Sequence, residues 1–197
     1  TGEQADNIKL ISLPDQATAG ELTVQNTTLD ASGNGSGRIV VRSGNFNATN
    51  SSITVNTTGS ISMSVDDGIN GLVGSQLNSN RTKITNDALS AGNAGLINVK
   101  ADALNLRGGV ISSSTISQGN AGVVTVTANK LEIDGSSDLT GILSESGGIY
   151  YGGVEGITGN AGDVIVTVSD TLKIMDSGRI STSTFSTGKG GAISVIA

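Results

Sequence analysis

The chain has 197 residues, 17 acidic side chains against 11 Lys and Arg, no His, no Cys and a formal charge of −6. An acidic balance with scattered Lys and Arg argues against a phosphate-binding surface, so no nucleic acid is expected as a partner. Without His or Cys there is no Ser-His-Asp triad, no Cys-His pair, no disulfide and no metal held by imidazole or thiolate, so any enzymatic reading rests on carboxylates.

Residues 1–20, with Leu10-Ile11-Ser12-Leu13-Pro14, read as a turn that precedes the main pattern. No long apolar run occurs, so neither a signal peptide nor membrane insertion is expected. From Leu22 onward, apolar or small residues stand two apart in short groups, the side-chain period of a strand. The groups are Leu22/Val24 with Leu29/Ala31, then Ile39/Val41 with Phe46/Ala48 and Ile53/Val55, then Ile61/Met63/Val65 with Ile84. Residues 66–83 between the last two read as an inserted loop. Within it Asp66-Asp67-Gly68-Ile69-Asn70-Gly71 touches a calcium-loop pattern, but Gly68 and Leu77 stand where ligands are needed, so no metal is expected. Gly33-Asn34-Gly35-Ser36-Gly37 looks like a phosphate-cradling loop, yet a strand rather than a helix follows it.

The second half repeats a block with its interior intact: Gly92-Asn93-Ala94-Gly95, Gly119-Asn120-Ala121-Gly122 and Gly159-Asn160-Ala161-Gly162, with Gly188-Lys189-Gly190-Gly191 as a degenerate copy. Each block feeds three groups with strand spacing, for example Val124/Val126/Ala128, Leu131/Ile133 and Ile142/Ser144/Ser146. A Gly-rich corner feeding short alternating strands, repeated every few tens of residues, predicts an all-β solenoid, a parallel β-helix with three short strands per turn, three parallel sheets and about seven turns. The first inward residues Ile39, Ile61, Ile97, Val124, Val164 and Ile193 lie 22, 36, 27, 40 and 29 residues apart, so loops absorb the variation while the core stays constant. Residues 147–158 form the second inserted loop, and 1–197 read as one continuous domain. The chain begins without Met and ends in mid-strand at Ile196-Ala197, which makes it an internal segment of something longer by expectation. Four aromatics are too few for an ordinary globular core, so stacked Val, Ile, Leu and Ala must fill the interior.

Two kinds of ladder follow from the stacking. Ile97, Val124, Val164 and Ile193 form one aliphatic file, and Leu104, Leu131 and Leu172 another. Asn93, Asn120 and Asn160 share one position of consecutive turns and are expected to stack as buried amides, side chain to side chain. Ser113, Ser144 and Thr182 share an inward file on the third strand, where they pair with one another or with turn backbone. Ser112, Leu143, Glu145, Ser181 and Ser183 have outward parity, which leaves no inward-outward arrangement suited to an ice-binding threonine array.

Chemistry is sparse. The acids Asp66, Asp67, Glu132, Asp134, Asp138, Glu145, Glu155, Asp163, Asp170 and Asp176 fall at turns or outward positions and read as solvated. Ile174-Met175-Asp176-Ser177-Gly178 has the form of an aspartic-protease half-site, but its facing half is missing, and the same residues are ordinary turn chemistry. Tyr150 and Tyr151 beside Glu155, in the long 147–158 insertion, are the candidate contacts for a glycan or partner protein; packing down onto an apolar face is the competing reading. No catalytic, cofactor-binding or metal-binding residue is assigned.

Gly119-Asn-Ala-Gly-Val-Val-Thr-Val-Thr-Ala128, with Leu131–Ile133 and Ile180-Ser-Thr-Ser-Thr184, resembles the repeats of filamentous-haemagglutinin-like exoproteins of two-partner secretion. The resemblance covers 92–197 well and 1–91 more weakly. It implies a right-handed β-helical fibre at the surface of a Gram-negative or cyanobacterial cell, non-enzymatic, serving adhesion or filament formation. Partners implied are adjoining repeats or copies of itself end to end, and a host or cell-surface glycan or protein. Absence of Cys suits export through a pore in the unfolded state. The reading from another class is a polysaccharide-acting β-helical enzyme using carboxylates. Asn-x-Ser/Thr sequons at Asn26, Asn34, Asn47, Asn50, Asn56 and Asn80 arise readily by chance in a chain of this composition.

Overall fold

The structure, a computed structural model, describes residues 20–33, 37–56, 59–65, 75–89, 92–136, 138–147 and 157–197. These form fifteen strands and, among the described residues, no helix. In chain order they are β1 (Glu21–Gln25), β2 (Thr28–Asp30), β3 (Arg38–Ser43), β4 (Asn45–Thr49), β5 (Ser52–Thr54), β6 (Ser60–Val65), β7 (Gln76–Asn80), β8 (Lys83–Ala88), β9 (Ile97–Arg107), β10 (Val110–Thr115), β11 (Val124–Asp134), β12 (Gly141–Ser146), β13 (Val164–Met175), β14 (Arg179–Thr184) and β15 (Ile193–Ile196).

Neighbouring strands are parallel and lie in two sheets. One sheet of nine strands follows the path β1-β4-β7-β9-β11-β13-β15, with β3 and β6 joining it through β9; the other runs β14-β12-β10-β8-β5-β2. Strands adjacent in a sheet are therefore separated in sequence by a strand of the other sheet, as happens when a chain passes the same place at each repeat.

The expected three sheets are two, for a reason visible in the sequence. The early first and second strands are separate pieces, β3 then β4 and β6 then β7, whereas Ile97–Arg107 runs through without a Gly or Pro to break it. Its first half pairs with β6 (Ile61 opposite Ile97) and its second with β7 (Leu77 opposite Leu104), which fuses two ladders into one sheet. Inward residues change phase inside each fused strand, from Ile97, Val99 and Ala101 to Leu104 and Leu106. A phase change needs one residue out of alternation. Asp102, Asn129 and Ser169 stand at that bend and are tied together: Asn129 Nδ2 donates to Asp102 Oδ1 at 2.5 Å, and Ser169 Oγ donates to Asn129 Oδ1 at 2.5 Å. Between Ala128 and Lys130 the register of β11 on β13 shifts.

Part of the 66–83 stretch is not loop. Gln76–Asn80 is β7, paired between β4 and β9, with Leu77 fully buried between Phe46 and Leu104. One apolar residue among Gln, Asn and Ser gave too little pattern to read as a strand. Leu22 and Val24, expected to open a turn, belong to β1 and stack on Phe46 and Ala48 of the second ladder.

The core lies between the sheets and is built in columns. Ile39, Ile61, Ile97, Val124, Val164 and Ile193 are opposite one another in turn. So are Leu22, Phe46, Leu77, Leu104, Leu131 and Leu172. A third column on the second sheet holds Leu29, Ile53, Ile84, Ile111, Ile142 and Ile180. Phe46 is the one aromatic buried among the described residues, and Phe185 is exposed. The columns are buried in the middle and open toward β15, where Ile193 is 47% exposed while Val124 and Val164 are closed to solvent.

Candidate functional site

What the repeated block builds is a stacking device. In a parallel stack the corner of each unit lies on the corner of its neighbour, so corner backbones approach closely only where side chains are absent. A Cβ on Gly122 would fall within the carbonyl of Gly95, one on Gly162 within that of Gly122, and one on Gly191 within that of Gly162. The first glycine of the block behaves alike, Gly159 lying against the carbonyl of Gly119. Backbone conformation is not the reason for these glycines, since none of the four has a left-handed φ.

The asparagine of each block links units, though not as expected. Asn93 Oδ1 accepts from the backbone N–H of Asn120 at 2.8 Å, Asn120 Oδ1 from that of Asn160 at 2.9 Å, and Asn160 Oδ1 from that of Lys189 at 2.7 Å. In return the N–H of Ala94 donates to the Asn120 carbonyl and that of Ala121 to the Asn160 carbonyl, both at 2.8 Å. The ladder is therefore side chain to backbone, and its residues are exposed rather than buried. Lys189 donates its N–H but offers no acceptor to a following unit.

A side-chain amide ladder does exist, elsewhere. Asn105 Nδ2 donates to Asn78 Oδ1 and Asn78 Nδ2 to Asn47 Oδ1, each at 2.8 Å, and Asn47 Nδ2 donates to Glu21 Oε1 at 2.7 Å. The register continues the column to Glu132 and Lys173, whose charges meet at 3.9 Å. This column was missed because Asn47, Asn78 and Asn105 share no repeated block, and Asn78 lies in the stretch read as a loop.

Inside, a hydroxyl column ties the second sheet to the corners. Ser144 Oγ accepts from the Gly162 N–H at 2.8 Å and donates to the Gly122 carbonyl at 3.1 Å. Ser113 Oγ accepts from the Gly122 N–H at 2.9 Å and donates to the Asn86 carbonyl at 3.0 Å. Asn86 holds Gly95 and Gly59 in the same way, and Thr182 donates to the Gly191 carbonyl at 2.8 Å. These side chains pair with turn backbone, so their buried hydroxyls avoid the roughly 1–3 kcal/mol of an unmet hydrogen bond.

The acids do not converge on one groove among the described residues. Asp134 accepts from the Ser136 N–H at 2.9 Å. The Ser136 hydroxyl and then its N–H hold the Asp134 carboxyl below the usual aspartate range, against an upward push from burial that exceeds the weak downward pull of Arg107 at 3.5 Å. Asp163 Oδ1 accepts from the Ala192 N–H at 2.8 Å, and Asp170 pairs with Lys130 at 3.8 Å. Asp176 and Ser177 take left-handed φ values of 50° and 69° in an exposed turn closed by the Gly178 N–H on the Met175 carbonyl. Among the described residues, no three His, Cys, Asp or Glu side chains gather as a metal site.

Glu145 departs from its expected solvated position. It is 1% exposed, and Ser112 and Leu143, also of outward parity, are buried with it, so β10 and β12 are covered on both faces. Asp87, Ser114 and Glu145 lie opposite one another on that face, which sets two carboxylates two strand steps apart. Burial of Glu145 closes this pair to a polymer. Tyr150, Tyr151 and Glu155, the candidate glycan contacts, lie outside the described residues, as do Asp66 and Asp67 of the calcium-like loop.

Compared with known proteins, the chain matches no family model, no curated protein and no solved structure.

Proposed function

We propose that the chain is a shaft segment of a non-enzymatic extracellular fibre or adhesin, of the filamentous-haemagglutinin-like kind, built as a right-handed parallel β-helix. The hand follows from the strong preference of parallel crossovers for right-handed connections. On this reading the three ladders count seven turns, with β1 and β2 in the first and β15 in the last.

The observation that carries the proposal is the glycine-on-glycine contact of successive corners together with the hydroxyls that bind them. Repeated backbone-to-backbone packing spends the sequence on stacking and leaves the acids dispersed, with Glu145 buried on β12. The absence of Cys and the repeat's resemblance to secreted exoproteins support a cell-surface location. Its partners are adjoining repeats or further copies: the edge of β15 and the exposed Ile193, Val195 and Ile196 suit another parallel strand and another aliphatic layer. A cell-surface glycan or protein is the proposed target of the fibre. The polysaccharide-acting enzyme has one observation in its favour, the shared face of Asp87 and Glu145, and the burial of Glu145 weighs against it.

Electron microscopy of the native protein, with protease treatment of intact cells, tests this. Thin unbranched rods that disappear on shaving the cell surface are expected. Compact intracellular particles, or depolymerisation of a polysaccharide lost on Glu145→Gln, would replace the fibre with another function.

A further inference from the structure

One corner of the stack is unlike the rest. Asn26, Asn50 and Arg81 follow β1, β4 and β7 at equivalent places, since Gln25, Thr49 and Asn80 are opposite one another. All three take left-handed backbone, with φ of 51°, 48° and 48°, and the next unit places Gly108 there at 62°. Their N–H groups donate to the carbonyl of the following strand, Asn26 to Thr49, Asn50 to Asn80 and Arg81 to Arg107, so the turn is the same in each unit. Asn and Gly are the residues that adopt this conformation readily, whereas Arg is held there against its preference. Local turn geometry therefore does not account for Arg81.

Arg81 sits in a shallow, open surface groove that crosses three units. Asn26 and Thr28, Asn50 and Ser52, and Arg81 and Lys83 line it in three successive pairs. No acid is among the lining residues, although the chain as a whole carries −6. The ion pairs of Arg107, Lys130 and Lys173 do not involve Arg81, and no acid lies beside its guanidinium in the groove. Asn50 Nδ2 donates to Asn26 Oδ1 at 3.2 Å, which fixes the two amides relative to each other. Beneath them Ser51 is buried, its Oγ accepting from the Thr27 N–H at 3.3 Å and donating to the Thr49 carbonyl at 2.8 Å, so the floor is rigid.

We propose that this groove binds a carboxylate-bearing polysaccharide, a uronic-acid polymer, with Arg81 as the anchoring residue. A guanidinium offers the paired donors that a carboxylate accepts. The amide and hydroxyl of the first two units recur at about 4.8 Å along the stack, close to the length of one sugar in an extended chain, and the third unit puts Arg81 and Lys83 at the same two places, so successive sugars meet a polar pair at each step and a cationic one at the last. An acidic peptide is the weaker match, because every lining residue is a polar or charged type and no aliphatic or aromatic side chain is present to seat a peptide's apolar groups. The inference stands apart from the fibre reading, since a solitary chain carries the same groove.

Isothermal titration calorimetry of the whole chain with tetragalacturonate tests it, with neutral galactotetraose, tetraglutamate and sodium acetate in parallel. Binding of tetragalacturonate is expected, weakened by added salt, and at least about tenfold tighter than that of the other three. Arg81→Gly should weaken it at least about tenfold, while the melting temperature stays level or rises because Gly suits the corner. Lys83→Gln should weaken it less. No heat with tetragalacturonate, equal affinity for galactotetraose, or unchanged affinity in Arg81→Gly would overturn the proposal. Tighter binding of tetraglutamate would overturn it in favour of an acidic peptide, and equal binding of acetate would reduce the groove to an adventitious anion site.

Discussion

The carbonyl of Gly95 occupies the space in which a side chain on Gly122 would begin. Gly122 in turn does the same to Gly162, so one methyl group anywhere in this column forces two units apart. Gly122→Ala is expected to destabilise the protein by several kcal/mol, of order 2–4, because the clashing atom is backbone and cannot rotate away. Gly190→Ala is the control: nothing lies within 4 Å of a Cβ there, and its melting temperature should move little. Thermal melting of the two variants decides whether these glycines are packing contacts.

Val124 is closed to solvent between Ile97 and Val164. Val124→Asp buries an unpaired carboxylate and should cost several kcal/mol, about 3–5. Ile193→Asp, in the same column at 47% exposure, should cost far less. Denaturant midpoints of the two variants would separate this register from one that places Val124 at the surface.

Ser144 serves as both donor and acceptor in one corner. Its replacement by Ala strands the Gly162 N–H and leaves the Gly122 carbonyl without this donor, at about 1–3 kcal/mol, whereas Ser144→Thr keeps the hydroxyl and should recover part of that stability. Hydrogen exchange at the Gly162 amide gives a local readout: it should speed up in the Ala variant and stay slow in the Thr variant.

Legibility in the sequence was uneven, and the physics says where. Strand period exposed the inward columns because Ile97, Val124 and Val164 recur at fixed places after a Gly-rich corner. It failed at Gln76–Asn80, where packing on Phe46 and Leu104 makes a strand out of a single Leu. Period 2 assigns a face but not what covers it, so Glu145 looked solvated and Leu143 was placed only by its outward parity. The fusion of first and second strands was hidden because a phase change of one residue resembles a break. The block Gly-Asn-Ala-Gly pointed to the right residues for the wrong bond: Asn120 reaches backbone instead of another amide.

Asp134 provides the pH dependence. Its carboxyl is held below the usual aspartate range by Ser136, so its contribution to stability is present above the unfolded value, near 3.9, and is lost as pH falls through the lower folded value. Acid unfolding should therefore include a component below about pH 4. In Ser136→Ala the Asp134 titration, followed by NMR, should move up toward that of an ordinary aspartate; an unmoved midpoint would assign the effect to the backbone N–H at 136, which Ala keeps, instead of the hydroxyl.

The central claim is that successive units lie directly on one another, each inward residue on its counterpart. A crystal or cryo-electron-microscopy map that separates strands measures this most directly. The account predicts Ile97, Val124 and Val164 in one column about 4.8 Å apart, with their strands parallel and crossing the long axis. Antiparallel neighbours, or Val124 facing outward, would contradict it.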